Sequence, residues 1–470
     1  MRVTLLEICR LLEAVCVGRT PREMLSIPSG AAIDSRAVKK GDLFFCLPGE
    51  RADGHDFAAS AVENGAMALV ALRNPFGGIS PIPVVEVPDV AAALASLARV
   101  HRSWTRAVVV GVTGTSGKTS VKEALASVIS ERGKTEKNYM NLNNQIGLPL
   151  SMLNADDMAS CWVMEVGISK AQDMDELGSI LRPDIALVLN AGPGHIQGLG
   201  DKGVAHHKAR LLAYLEKAGQ GVVNADYPDL VREANALRSD IALFSAQDEH
   251  APFYALYNGP ESAFKGRYTL YLEGMPVEVV APFQGTFGAE NVAAIGAVAH
   301  MLGLTESEIT RGLANAVPPA QRFVAATEGP FLVIDDSYNA NPLSMERMLE
   351  AAAGMAGERC EGLFLVLGEM GELGPESADF HEDLGKYIAG LDPLAVFWTG
   401  GHGEDVLRGL EQERYAGLWI PVADERDFAA SLREAGMDAG VVLIKGSRSN
   451  KLERMVAVVM KLAKEGFDAL

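Results

Sequence analysis

Residues 111–120 read GVTGTSGKTS. An apolar run, AVVVGV from Ala107, leads into them, and the helical pattern VKEALASVISERG follows. A strand that turns through small residues into a helix brings backbone N–H groups and a helix N-terminus to one point, which suits an anion. Lys118 supplies a cation for the terminal phosphates of a nucleotide, and Thr119 a hydroxyl for magnesium. The expected phosphate contacts are Gly114, Thr115, Ser116, Gly117, Lys118, Thr119 and Ser120. The strict GxxxxGK[ST] pattern is not met, because Val112 stands at the first glycine position. A glycine-rich turn that only caps a helix is the alternative.

Around this loop the apolar runs recur. CWVMEV (161–166), IALVLN (185–190), GVVN (221–224) and IALF (241–244) alternate with helical stretches. That alternation predicts a parallel sheet with helices on both faces. YTLYLEGMPVEVVAPF (268–283) has hairpin character around Glu273-Gly274. Pro318-Pro319 marks a boundary, after which FLVI (331–334), LFLVL (363–367), AVFW (395–398) and VVLI (441–444) predict a second α/β layer structure. Before the loop, residues 1–18 predict an amphipathic helix, Asp42 to Leu47 a buried strand, and 57–64 and 89–103 helices. The expected units are 1–105, 106–318 and 319–470, in keeping with about three domains for 470 residues.

Net charge is 42 − 61 = −19. Such a field repels nucleic acid and anionic membranes, so neither is an expected partner, and a phosphate ligand needs local positive groups. Five cysteines without CxxC spacing predict neither a disulfide framework nor a zinc site. The N-terminus lacks the form of a signal peptide, and the longest weakly polar stretch, residues 291–304, contains His300 and is too short to span a bilayer. The expected location is the cytoplasm.

Ligands of open α/β sheets sit outside the carboxyl ends of the strands. Glu165 ends one strand there and could hold Mg²⁺ or simply cap a helix. His195 follows another strand in NAGPGHIQGLG, and Lys208 comes next in HHKARLL. On their chemistry alone both are better explained by structural roles. In the third unit, VIDDSYNANPLSM (333–345), LGEMGELG (367–374) and IKGSRSN (444–450) each put polar groups after a buried strand, forming a second wall of a cleft.

With DSR (34–36), GDLFFCLPGERADGHDF (41–57), TGTSGKTSVKE (113–123), NNQIGLPL (143–150), DDSYNANPLSM (335–345), LGEMGELG and KGSR (445–448), the chain resembles the Mur ligases over nearly its whole length. These are ATP-dependent amino-acid and peptide ligases of bacterial cell-wall synthesis. DDSYNANP and GEMGELG resemble the type that adds D-alanyl-D-alanine to UDP-N-acetylmuramoyl-tripeptide, and the DNPR-type motif of diaminopimelate-adding relatives is absent. The resemblance implies three domains: one for the UDP precursor, a central P-loop parallel-sheet ATPase domain, and a C-terminal Rossmann-like domain that closes the cleft. It implies ATP and Mg²⁺ as cofactors, a monomer, and an acyl-phosphate intermediate.

Carried over by position, Ser35 and Arg36 serve the uridine end, and Asn143, Asn144, Asn339 and Asn341 serve the substrates. Lys118 contacts the phosphates. Thr119 and Glu165 hold one Mg²⁺; His195 and a carbamylated Lys208 hold a second, so Lys118, His195 and Lys208 form the catalytic set. Asn291 and Asp336 face adenosine, and Arg322 and Lys445 the phosphates. Phe287-Gly288 replaces the His-Asn usual in the family, Gln321 replaces the glycine before Arg322, and GISKAQDMDEL (167–177) departs from the commoner segment. A tripeptide-forming Mur ligase, a folylpolyglutamate synthase and a P-loop regulator without ligase activity are the competing readings. The DSR and DGH-F segment of the first unit speaks against the folate enzyme.

Overall fold

The strand Val108–Thr113, which delivers the phosphate loop, lies inside a nine-stranded sheet. The computed structural model describes residues 2–466 other than 19, 50–51 and 193–195. Its sheet order is Met275–Ala281, Gly266–Leu272, Phe253–Pro260, Ile241–Ser245, Gln220–Asn224, Ile185–Val188, Val108–Thr113, Cys161–Glu165, Thr135–Lys137. The seven strands from Phe253–Pro260 onward run parallel, and the last two at the other edge are antiparallel. The central strands are continuous apolar runs because helices cover both faces. The expected hairpin is present: Leu272 pairs Met275 across Glu273 (φ +50) and Gly274 (φ +86), the positive dihedrals a two-residue turn requires. It extends the same sheet through Phe253–Pro260, whose tyrosines and terminal Asn-Gly-Pro hid it from an apolar-run search.

The first unit is a five-stranded sheet ordered Val15–Val17, Val84–Glu86, Ala68–Ala71, Leu43–Phe45, Ala31–Ala32, with only the first strand antiparallel. The N-terminal helix is shorter than expected. It covers Leu5–Leu11, starting on a Thr4–Glu7 capping box; Glu13 then takes φ +50 and the chain becomes a strand. The helix Val90–Trp104 leads into the phosphate-loop strand. Its buried Arg102 donates to Leu181 O (2.9 Å) and pairs with Asp184 (3.0 Å), tying the units together.

The third sheet is ordered Val324–Glu328, Phe331–Asp336, Gly440–Lys445, Leu363–Gly368, Ala395–Thr399, Leu418–Pro421, and all but the first strand are parallel. Both edge strands escape an apolar-run search: one alternates in burial and the other is short and ends in proline. Among the described residues no helix is long and apolar enough to cross a membrane.

Candidate active site

Asn190, buried just past the strand Ile185–Val188, shapes the phosphate loop. Its Oδ1 accepts the N–H groups of Thr115 and Ser116, both at 2.9 Å, and its Nδ2 donates to Ser116 O at 3.2 Å. Those two N–H groups are therefore occupied. The helix Lys118–Ser130 starts from Gly117 at φ +82 without a side-chain cap, so its first-turn N–H groups are left for an anion. A Cβ at Gly117 would lie 3.1 Å from Asn291 Oδ1, which keeps the approach narrow.

Two lysines converge on one carbonyl. Lys118 Nζ donates to Gly114 O at 2.8 Å, and Lys208 Nζ donates to the same oxygen at 2.9 Å. Lys208 is 2% exposed. Burial first, and then the Lys118 charge, hold its ammonium well below the usual lysine range. Burial also lowers Lys118, which Glu165 opposes and Arg322 reinforces. A chain of net charge −19 thus gathers cations at one point.

Pairing of Val112 with Glu165 in neighbouring parallel strands puts the carboxylate at the foot of the loop. Glu165 Oε2 accepts the Thr119 hydroxyl at 2.7 Å, and Oε1 accepts Asn143 Nδ2 at 2.6 Å. Asn138 fixes the Glu165 backbone from both sides, at 2.9 and 3.1 Å. Fully buried Lys122 donates to the carbonyls of Asn138 and Met140 at 2.8 Å and stands 4.0 Å from Glu165 Oε2. Thr119 and Glu165 offer hard oxygens side by side, a donor set that fits magnesium. Among the described residues no group of three or more His, Cys, Asp or Glu forms a ligand cage. His195 lies outside the described residues.

A cavity of about 290 Å³ joins the loop to the third unit. Thr115, Ser116, Gly117, Lys118, Ser120, Asn143, Asn144, Glu165 and Asn291 line it from one side; Arg322, Asp336, Asn339, Asn341 and Lys445 line it from the other. Asp336 and Lys445 form an ion pair with each other, and Lys445 also donates to Asn339 O at 2.9 Å. Asp336 further accepts Phe323 N at 3.0 Å, so neither group of the pair stands free to face a ligand alone. Arg322 stacks on Tyr338 at 4.1 Å. Asn341 caps the helix Pro342–Arg359 and reaches Thr115 O at 3.5 Å across the cleft. Asn144 is turned to the backbone, accepting Gly147 N at 2.9 Å. Phe283, Phe287, Phe323 and Val317 form an apolar wall. A Cβ at Gly288 would lie 2.2 Å from Tyr268 Oη, so no larger residue fits there as packed.

Ser35 and Arg36 do not line this cavity. Ser35 is buried in the turn Ser35–Ala37, and Arg36, with its side chain 87% exposed, pairs with Asp34 at 2.7 Å.

Three site residues escape a motif reading. Asn190 is one polar residue at a strand end, the only signal it gives. Asp173 gathers the departing segment by accepting Ser169 N (2.7 Å), Lys170 N (2.8 Å) and Gln145 Nε2 (2.7 Å). Arg347 stands out only as a cation on a largely apolar helix face; it lines the cavity and pairs with Glu290 of the central unit at 2.6 Å.

Comparison with known proteins matches residues 29–102 to the Mur ligase family catalytic domain, 112–299 to the Mur ligase middle domain, and 321–448 to the Mur ligase glutamate ligase domain. The chain is 33% identical over 435 residues to the UDP-N-acetylmuramoyl-tripeptide--D-alanyl-D-alanine ligase of Escherichia coli (strain K12), covering 91% of this chain and 93% of that protein. It is 28% identical to the protein of the same name from Bacillus subtilis (strain 168), covering 93% and 94%. Among solved structures it is similar to MurF from Acinetobacter baumannii (TM-score 0.85, 27% identity, covering 97% and 98%). It is also similar to MurF ligase from Thermotoga maritima in complex with ADP (TM-score 0.80, 28% identity, covering 92% and 97%).

Proposed function

The chain belongs to the Mur ligase family, and from that membership we propose that it joins D-alanyl-D-alanine to UDP-N-acetylmuramoyl-tripeptide, driven by ATP, in peptidoglycan precursor synthesis. The observation that carries the reading is one cavity shared by the phosphate loop with its Lys118 and the DDSYNANP wall of the third unit. The three units, 1–105, 106–318 and 319–470, divide the work into precursor, ATP and dipeptide binding. The enzyme works as a cytoplasmic monomer, without membrane insertion or nucleic acid.

The terminal carboxylate of the tripeptide attacks the γ-phosphorus of ATP; ADP leaves and an acyl phosphate forms. The dipeptide amine then attacks the acyl carbon, loses a proton, and expels inorganic phosphate as the peptide bond closes. Bringing a carboxylate to a triphosphate sets anion against anion, so fixed cations must neutralise the path. Lys118 does this at the transferring phosphoryl, helped by the free first-turn N–H groups of its helix. Arg322 approaches from the other wall, as does Lys445, whose charge is shared with Asp336. Asn291 and Asp336 border the adenosine, Asn143 and Asn144 the precursor peptide, and Asn339 and Asn341 the dipeptide side. Ser35 and Arg36 bind the distant uridine end.

Thr119 and Glu165 fit a magnesium ion, which would supply charge neutralisation to the phosphate oxygens. His195 and Lys208 are the pair assigned to a second ion. Lys208 can serve only as a carbamate, formed when its neutral amine adds CO₂ and releases a proton. Its depressed basicity favours the amine form that reacts.

The test is ADP release from ATP, Mg²⁺ and UDP-N-acetylmuramoyl-tripeptide, with and without D-alanyl-D-alanine. Turnover that depends on the dipeptide is expected. Equal turnover with a single amino acid on a dipeptide precursor would point to the tripeptide-forming reaction, and turnover that ignores both substrates to a nucleotide switch.

A further inference from the structure

Arg347 turns one edge of its guanidinium to the cavity and the other away from it. The residue stands in the helix Pro342–Arg359 and is 8% exposed. Its hydrogen bonds all leave from one nitrogen: Nη2 donates to both carboxylate oxygens of Glu290 and to Tyr227 Oη, each at 2.6 Å. Nε and Nη1 donate to no protein group among the described residues, yet neither is sealed off as a buried, unpartnered atom. Arg347 lines the cavity while Glu290 and Tyr227 do not, so these N–H groups open into it. An arginine held this way is a fork of donors whose charge is already matched by the carboxylate behind it. Such an edge takes a hydrogen-bond acceptor.

Strand order decides which ligand lies at that end. Glu165 ends the strand next to the phosphate-loop strand on one side, and with Thr119 it fits the magnesium beside the reacting phosphate. Asn224, which supports Glu290, ends the strand Gln220–Asn224, two places away on the other side. Three strand spacings separate the two ends, about 14 Å. An extended dipeptide reaches about 7 Å from amine to carboxylate, too short to attack beside Glu165 and touch Arg347 at once. A nucleotide with its phosphates on the loop between them spans the gap, the γ-phosphate toward Glu165 and the nucleoside toward Arg347. Apolar surface favours the same direction. Phe287, three residues before Glu290, shares its helix face, and Met348 adjoins Arg347; both line the cavity and suit the flat face of a base. We propose that Arg347 binds the nucleoside of ATP, donating from Nε and Nη1 to an acceptor on the ribose or the base, while Glu290 keeps its charge from competing for the phosphates. The proposal rests on the reading of the chain as an ATP-dependent ligase and adds a contact to its nucleotide site.

The experiment measures, by calorimetry on the full chain with Mg²⁺, the binding of ADP and of inorganic tripolyphosphate, which has the phosphates and no nucleoside. Arg347→Lys keeps a cation against Glu290 but has no second nitrogen to offer the cavity. It is expected to weaken ADP by about tenfold, the worth of one lost hydrogen bond, and to leave tripolyphosphate unchanged. Tyr227→Phe disturbs the same contact between units without touching the free edge, and is expected to leave both ligands unchanged. Binding of 2′-deoxy-ADP tells the two acceptors apart. A preference for ADP over 2′-deoxy-ADP that disappears in Arg347→Lys supports the ribose hydroxyl, and a preference that persists beside the tenfold loss supports the base. Equal losses of ADP and tripolyphosphate in Arg347→Lys overturn the proposal, as does no loss of ADP, or a Tyr227→Phe variant that weakens ADP as much. If the natural chain binds no ADP at all, the functional reading itself fails, and that result is distinct from the others.

Discussion

At the scale of the residue, the proposed second metal position rests most heavily on Lys208. Its sequence context, HHKARLL, looks like a solvated helix face, yet the side chain is 2% exposed and its Nζ ends on Gly114 O beside Lys118. A buried cation next to another cation is unfavourable unless something changes its charge. On the proposed reading carbamylation would do so, turning the cation into an oxygen ligand. Lys208→Arg keeps a charge that cannot be modified, so it should lose about a hundredfold or more in turnover while circular dichroism stays native. Lys208→Ala should regain part of its activity with added short-chain carboxylates. An active Arg variant would return Lys208 to simple phosphate pairing. Sequence could not supply the converse fact, that Asn190 rather than a ligand occupies two N–H groups of the loop. That contact closes over seventy residues of chain.

At the scale of elements, the strands beside the site were readable because parallel strands buried on both faces are continuous apolar runs. Cys161–Glu165 and Gly440–Lys445 are of that kind. Thr135–Lys137 and Leu418–Pro421 were not readable, since edge strands carry polar residues and proline. Helix pairing is equally hidden. The helices Ser377–Gly390 and Gly403–Gln412 approach until a Cβ on Gly409 would lie 2.0 Å from Glu382 O, and one on Gly385 2.1 Å from Val406 O. His381 in the first helix stacks at 4.5 Å on His402, which precedes the second. Gly409→Ala should therefore cost about 2 kcal/mol through overpacking and lower the thermal midpoint by several degrees. An unchanged midpoint would mean the helices separate freely.

For the whole molecule, the motifs of the second and third units told which residues must meet but not what holds the units together. Sequence implied that Asp336 and Lys445 share one nucleotide with the loop only if the units close. The structure brings them to one cavity through a buried contact that no motif announced. Arg347 Nη2 donates to Glu290 and to Tyr227 Oη, each at 2.6 Å, and Asn224 supports Glu290 at 3.3 Å. Burial raises the Glu290 carboxyl despite Arg347, so the pair depends on both partners. Arg347→Met strands a buried carboxylate at a cost of about 3–5 kcal/mol, which separating the units would relieve. Solution scattering should show a larger radius of gyration for this variant, and Glu290→Gln added to it should restore the smaller one. No change in the single variant would mean the interface is held elsewhere.

The central claim is that the tripeptide carboxylate, activated on phosphate, is the atom group the dipeptide amine attacks. It is tested most directly by labelling that carboxylate with oxygen-18 and analysing the phosphate released in the presence of ATP and D-alanyl-D-alanine. The account predicts one labelled oxygen in each phosphate, and one remaining in the new peptide bond. Unlabelled phosphate, or phosphate released without the dipeptide at the same rate, would contradict it.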